Sequence, residues 1–235
     1  MNGFKELKFN KNYTVAMSND FAKLPQKLSI NATRIFRTIL SNVQNEDKEF
    51  FPYQFKAADM AKFWEISPSA LIQKRMILCE ELKSFVVKYQ GNEFKIFDYA
   101  TYSSFRFYIK LSEQSAVFFR ALRTRFLSYH LRDILKLNTS NSIRIYENVR
   151  AVDGLYRCQK SMIYLELSEL KKSLALDKKY TVYHNFKNRV LVPSIRRINL
   201  YSDYRLELGY EYEDRKIKKI IFEPHVNRGS FDCHY

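Results

Sequence analysis

No run of about 18 apolar residues occurs anywhere in the sequence, so no segment is long and apolar enough to cross a bilayer as a helix. The opening stretch, MNGFKELKFNKNY, lacks the apolar core of a secretory signal. Cysteine is scarce: Cys79, Cys158 and Cys233 are far apart and never in CxxC spacing. That pattern predicts a reduced, cytoplasmic protein with structural or incidental thiols, not a disulfide framework. Five glycines and five prolines are few for an all-β fold rich in tight turns, and they leave little for flexible linkers. The four histidines, His130, His184, His225 and His234, form no HxH or HExxH pairing, and Cys233-His234 reads as incidental, so no metal site is expected. A GxxxxGK[ST] phosphate loop is missing too, which removes the commonest signature of nucleotide hydrolysis. Seventeen tyrosines offer a nucleophile for nicking DNA, but such enzymes pair it with a His-hydrophobic-His metal motif that this chain does not have. The expectation is a protein that is not an enzyme and needs no cofactor.

What the sequence does have is positive charge and core material. Hydrophobic residues at 46% and aromatics at 16% suffice for one large domain or two smaller ones. The formal net charge of +15 points to a polyanionic partner, nucleic acid before an anionic membrane. Residues 128–235 hold 20 basic and 13 acidic residues, leaving +7 there and +8 in residues 1–127. An excess shared by both halves suits a folded two-part nucleic-acid binder better than a globule with a basic arm.

The most informative stretch is KKYTVYHNFKNRVLVPSIRRINLYS, residues 178–202, which contains no acidic residue. At 3.6 residues per turn, Tyr183, Phe186, Val190, Leu191, Ile195 and Ile198 share one apolar face, while Asn185, Arg189 and Arg196, with Val192 among them, share the opposite one. One flank can dock on a core while the other presents donors and charge to base edges and phosphates. Lys187 lies nearer the apolar side, where its stem can run along the core to a phosphate. Asn185 and Asn188 can read adenine or satisfy local backbone. Pro193 within the helix predicts a kink or a split.

In chain order, helices are expected at Gln26–Val43, Lys56–Glu65 and Ser69–Leu82, followed by a hairpin of Ser84–Tyr89 and Glu93–Tyr99 turning at Gly91-Asn92. Phe105–Leu111 reads as a strand and Tyr129–Lys136 as a connecting helix. Then the order repeats. Helices are expected at Ser140–Val152, Ser168–Leu176 (capped by Ser168) and Thr181–Leu200, and strands at Met162–Leu167, Tyr204–Tyr212 and Ile217–Phe222. Arg34-Ile35-Phe36 matches Arg144-Ile145-Tyr146, and Asp59-Met60 matches Glu169-Leu170, at one common offset. The predicted fold class is α+β: two tandem winged helix-turn-helix domains, 1–127 and 128–235, arising from internal duplication. The tip residues Arg215 and Lys216, with Lys218 beyond them, would let a wing touch phosphates. Gln73, Lys74 and Arg75 mark the expected contact face of the first unit's third helix.

NSIRIYENV, LELSELKKSLAL and YHNFKNRVLVPSIRRINLYSDYRLELGYEYEDRKIKKIIF together resemble the iteron-binding plasmid replication initiators, whose pattern runs SxRxYE, LxELxxxL, then [DN]F[KR]xRVLxPxIxxIN and a hairpin. The likeness covers Asn141–Phe222, with a weaker one over Val15–Leu82 through MSNDF and LSINATRIF. It implies two winged-helix domains that bind repeated sequences in double-stranded DNA at a plasmid origin, with the host initiator and replicative helicase as partners and no membrane. It also implies monomers at the origin and a homodimer that represses its own gene, with the first domain serving dimerisation or a second DNA contact. Asn185, Lys187, Asn188 and Arg189 match the groove-entering part of the family's helix, and basic Lys178, Lys179 and Arg196 flank it. Asn188 and Arg197 depart from the family's usual basic and Glu residues, so base preference does not carry over. A winged-helix transcriptional repressor without a replication role is the alternative that sequence leaves open.

Overall fold

The computed structural model describes residues 3–153 and 162–226. Cys158, Cys233 and His234 lie outside the described residues. The first unit begins with β1 (Lys5–Glu6), β2 (Thr14–Ser18), α1 (Asn19–Lys23), α2 (Ile30–Leu40), β3 (Tyr53–Lys56) and α3 (Ala57–Phe63). It continues with α4 (Ser69–Ile72), α5 (Arg75–Lys83), β4 (Val86–Tyr89), β5 (Asn92–Lys95), β6 (Phe97–Ser103), β7 (Arg106–Leu111) and α6 (Ala116–Phe119). A connection of β8 (Phe126–His130) and α7 (Leu131–Ile134) leads to α8 (Ser140–Asp153), β9 (Ile163–Glu166) and α9 (Leu167–Ser173). The chain then forms α10 (Tyr183–Phe186), a π turn (Lys187–Leu191), α11 (Val192–Tyr201), β10 (Tyr204–Glu213) and β11 (Lys216–Val226).

Local chemistry explains these boundaries. Ser29 caps α2 by accepting from the Ala32 amide at 3.3 Å, and its own hydroxyl donates to Glu81 at 2.7 Å. The helix is shorter than Gln26–Val43 because Gln26 is spent elsewhere: it donates to the Phe21 carbonyl at 3.0 Å and accepts from Arg37 at 2.9 Å. The helix expected over Ser69–Leu82 is broken at Lys74, where φ is −102° and ψ is 9°, and Arg75 donates to the Ile72 carbonyl at the break. The strand expected over Glu93–Tyr99 is divided at Ile96, whose amide bonds Phe85 and whose carbonyl accepts from Ser112. Gln90 and Gly91, both at positive φ, make the two-residue turn of the β4–β5 hairpin. Ser168 does not cap α9: β9 runs straight into that helix with Glu166 at its cap position, and Ser168 falls inside.

The connecting helix expected over Tyr129–Lys136 is half strand. Leu127 and Tyr129 point into the core and Phe126 and Ser128 away from it, a period of two, and β8 pairs antiparallel with β2. The junction between residues 127 and 128 falls within β8.

The two units repeat one plan. In the first, α2, β3, α3, the α4–α5 pair and the β6–β7 hairpin build a sheet whose order is β6-β7-β3, extended by β1. In the second, α8, β9, α9, the α10–α11 segment and the β10–β11 hairpin build a sheet ordered β10-β11-β9. The starts of α2 and α8, β3 and β9, and α3 and α9 share one 110-residue spacing, the separation of Arg37 from Glu147. Both are winged-helix domains in an α+β chain. They pack through α2 and α8, where Glu147 accepts from Arg37, Arg144 and Tyr129, and Arg144 also donates to the Ala22 and Leu24 carbonyls. Burial opposes ionisation of Glu147, but the two guanidiniums and the Tyr129 hydroxyl outweigh it and hold its pKa down to about 2.

Candidate nucleic-acid interface

The segment from Tyr183 to Tyr201 stays helical throughout, and Pro193 accounts for its one irregularity. Proline has no amide hydrogen, and in a regular α-helix its ring would collide with the carbonyl of Arg189, four residues earlier. The chain widens instead: the Val192 amide reaches back five residues to the Lys187 carbonyl, and Pro193 sits in the first turn of α11. The helix is thus neither split nor ended by its proline.

Burial divides this helix into two flanks. Phe186, Val190, Leu191, Ser194, Ile195 and Ile198 are buried, and Tyr183 is half-buried. Asn185, Asn188, Arg189, Val192 and Arg196 are exposed. The N-terminal end is seated by aromatics, with the Tyr183 and Tyr210 rings edge-to-face at 5.9 Å. Lys187 is half-buried with Nζ 5.0 Å from the Tyr210 ring centroid. Further along, Asn199 fixes the helix to β10 by bonding both the carbonyl and the amide of Leu206.

Basic residues precede and follow this helix in the chain. Lys178 and Lys179 are exposed in the turn ahead of α10, and that turn is tied down where Lys171 donates to the Tyr180 carbonyl at 2.8 Å. After the helix the β10–β11 hairpin forms a wing, turning through Asp214 and Arg215, both at positive φ. Arg215, Lys216 and Lys218 are all exposed there. Lys218 already has an anion: its Nζ lies 2.7 Å from Glu213, which raises its pKa. Lys219 pairs similarly with Glu211 at 2.7 Å.

In the first unit, Gln73, Lys74 and Arg75 are exposed at the α4–α5 break, and Arg75 lies over the Tyr102 ring at 5.7 Å. They do not adjoin the helix of the second unit in sequence or in element. Beside them Met76 and Ile77 are 66% and 67% exposed, and Phe105 at the β6–β7 tip is 75% exposed. Sequence reading missed these three, because an apolar residue in a helical or strand pattern reads as core. It also missed His184, whose ring nitrogen lies 2.8 Å from the Asn188 amide nitrogen. The four-residue spacing of the two was the available signal.

Known proteins share this organisation. A family described as initiator replication protein, WH1, matches residues 14–150, and one described as initiator Rep protein, WH2, matches residues 166–224. An Escherichia coli replication initiation protein is 27% identical over 138 residues, covering 57% of this chain and 43% of that protein. The chain therefore spans less than half the length of this curated relative. A crystal structure of the Pi initiator protein in complex with iteron DNA superposes with a TM-score of 0.76 at 20% identity, over 93% of this chain and 99% of the other.

Proposed function

The chain belongs to the initiator replication protein family, and on that premise we propose that it binds tandem repeats (iterons) in duplex DNA at a plasmid replication origin. The observation that carries the reading is the exposure of Asn185, Asn188, Arg189 and Arg196 on a helix whose opposite flank is locked into the second winged-helix core. In this reading the exposed flank enters the major groove and Arg189 pairs with a base or an adjoining phosphate. Lys187, Lys178, Lys179, Arg215, Lys216 and Lys218 meet phosphates on either side, setting register without reading sequence.

The main sequence-specific contact belongs to residues 128–235. Residues 1–127 supply a second DNA contact through Gln73, Lys74 and Arg75, or a dimer surface, which exposed Met76 and Ile77 favour. Binding leads to origin opening and recruitment of the host initiator and helicase, and a dimer represses the protein's own gene. The role is stoichiometric, not catalytic, and is carried out in the cytoplasm.

Footprinting on cloned origin repeats, with the wild type beside Arg189→Ala, tests the groove contact. Unchanged affinity of the variant would remove that helix from the interface. Maintenance of an origin-bearing replicon in trans tests initiation. A protein that footprints the repeats but maintains no replicon is a repressor instead.

A further inference from the structure

Among the described residues, the repeated plan leaves one strand edge covered in the first unit and open in the second. In the first unit the outer edge of β3 carries β1 in parallel: the Lys5 amide donates to the Pro52 carbonyl at 2.8 Å and the Leu7 amide to the Gln54 carbonyl at 2.9 Å. The equivalent positions beside and on β9 are Met162 and Tyr164, 40% and 48% exposed. Among the described residues, β9 pairs only with β11, and β4 only with β5.

These two free edges line one cleft of about 670 Å³ between the units, within the ~300–1,000 Å³ range of clefts that hold ligands. Its walls include the consecutive residues Val86, Val87 and Lys88 of β4 and Tyr164 and Leu165 of β9. Consecutive strand residues point to opposite faces, so a cleft that meets them in succession meets each strand at its edge, where amides and carbonyls are presented. Lys23 and Lys172 add to Lys88 on the lining, against Glu169 alone among acids. Lys88 is already paired with Glu93 at 3.0 Å, so Lys23 and Lys172 are the cations at hand.

We propose that this cleft is a docking site for an extended acidic peptide segment of a partner protein, which adds a strand against β9, β4 or both. Main-chain hydrogen bonds to the open edges provide the binding, and alternate apolar side chains enter the cleft. The lysines select an acidic segment, and the partner is a protein other than DNA's own contacts require. None of these residues belongs to the proposed DNA interface, so this site and that one fail independently.

The test uses an end-blocked, fluorescent peptide of about eight alternating Val and Glu residues, a common strand length, with the full-length protein. Expected are saturable binding and slowed hydrogen exchange at the β4 and β9 amides. The same peptide N-methylated along its backbone, or with Lys in place of Glu, binds about tenfold more weakly. Lys23→Glu with Lys172→Glu weakens the Val/Glu peptide about tenfold while iteron binding and the thermal melt stay as in the wild type. Should that pair unfold the protein, Lys172→Gln is measured in its place and must weaken binding in the same direction. No saturable binding, protection elsewhere than β4 and β9, or indifference to N-methylation or to lysine replacement overturns the proposal. So does protection of those amides that grows with protein concentration alone, which would mark the cleft as a contact between copies of the chain.

Discussion

Arg37 and Glu147 are 110 residues apart in the chain and meet head to head, Nε to Oε1 at 2.6 Å and Nη2 to Oε2 at 2.9 Å, with both side chains fully buried. They occupy equivalent positions on α2 and α8, so the repeat places an arginine and a glutamate where like residues would face each other across the junction. Removing one partner of a buried pair leaves a charge in a medium that cannot solvate it.

Glu147→Ala is expected to destabilise the protein by about 3–5 kcal/mol, because it strands Arg37 and Arg144 together. Arg37→Met costs less, since Glu147 keeps Arg144 at 2.8 Å and the Tyr129 hydroxyl at 2.6 Å. Urea unfolding of the two variants checks the order; equal losses would mean the pair acts alone and not as a network.

Two buried carboxyls give the stability opposite slopes with pH. Glu147, held down to about 2, binds its proton less readily folded than unfolded, so its contribution is present above its ordinary 4.5 and is lost as pH falls from there toward 2. Asp133 is pushed up to about 7 by burial and then by Asp203, so its contribution is present below its ordinary 3.8 and is lost as pH rises through 7. Melting the protein from about pH 2 to 8 should show a decline from pH 5 upward that Asp133→Asn flattens, while Glu147→Gln flattens only the limb below pH 4.5.

Arg189→Ala should weaken binding to the cognate repeat by about 1–3 kcal/mol if it pairs with a base. Titration against the repeat and against unrelated duplex separates the roles. A loss confined to the repeat marks base reading, and an equal loss on both marks a phosphate.

On the wing, Lys216→Ala should lower the slope of log affinity against log salt by roughly 0.9, the effect of one phosphate contact. Lys218→Ala should lower it less, because that ammonium is already shared with Glu213. Glu213→Gln should then tighten binding by freeing Lys218, and weaker or unchanged binding would take Lys218 off the contact surface.

Much of the fold was legible because it is carried by periodicity. The buried run Phe186, Val190, Leu191, Ile195 and Ile198 was marked in advance by its spacing, and the common offset of Arg34-Ile35-Phe36 and Arg144-Ile145-Tyr146 announced two copies of one plan. What escaped depends on tertiary partners. Tyr129 belongs to a strand because Val15 lies opposite it, over a hundred residues away. Gln26 leaves its helix because Arg37 and Phe21 claim its side chain. Met76 and Ile77 have the composition of core residues and lie outside it, on the side of α5 away from buried Leu78, Cys79 and Leu82.

The widened turn at Lys187–Leu191 holds one residue more than an α-helical turn would. Deleting a single residue there would close the turn to ordinary winding and press the Pro193 ring against the carbonyl four residues before it, so the helix would kink or end at that point. Which atoms the helix offers to its partner is therefore set by local chain length as much as by side-chain identity. Even a deletion at Val190 or Leu191, which spares Asn185, Asn188, Arg189 and Arg196, would therefore change how those four side chains are presented.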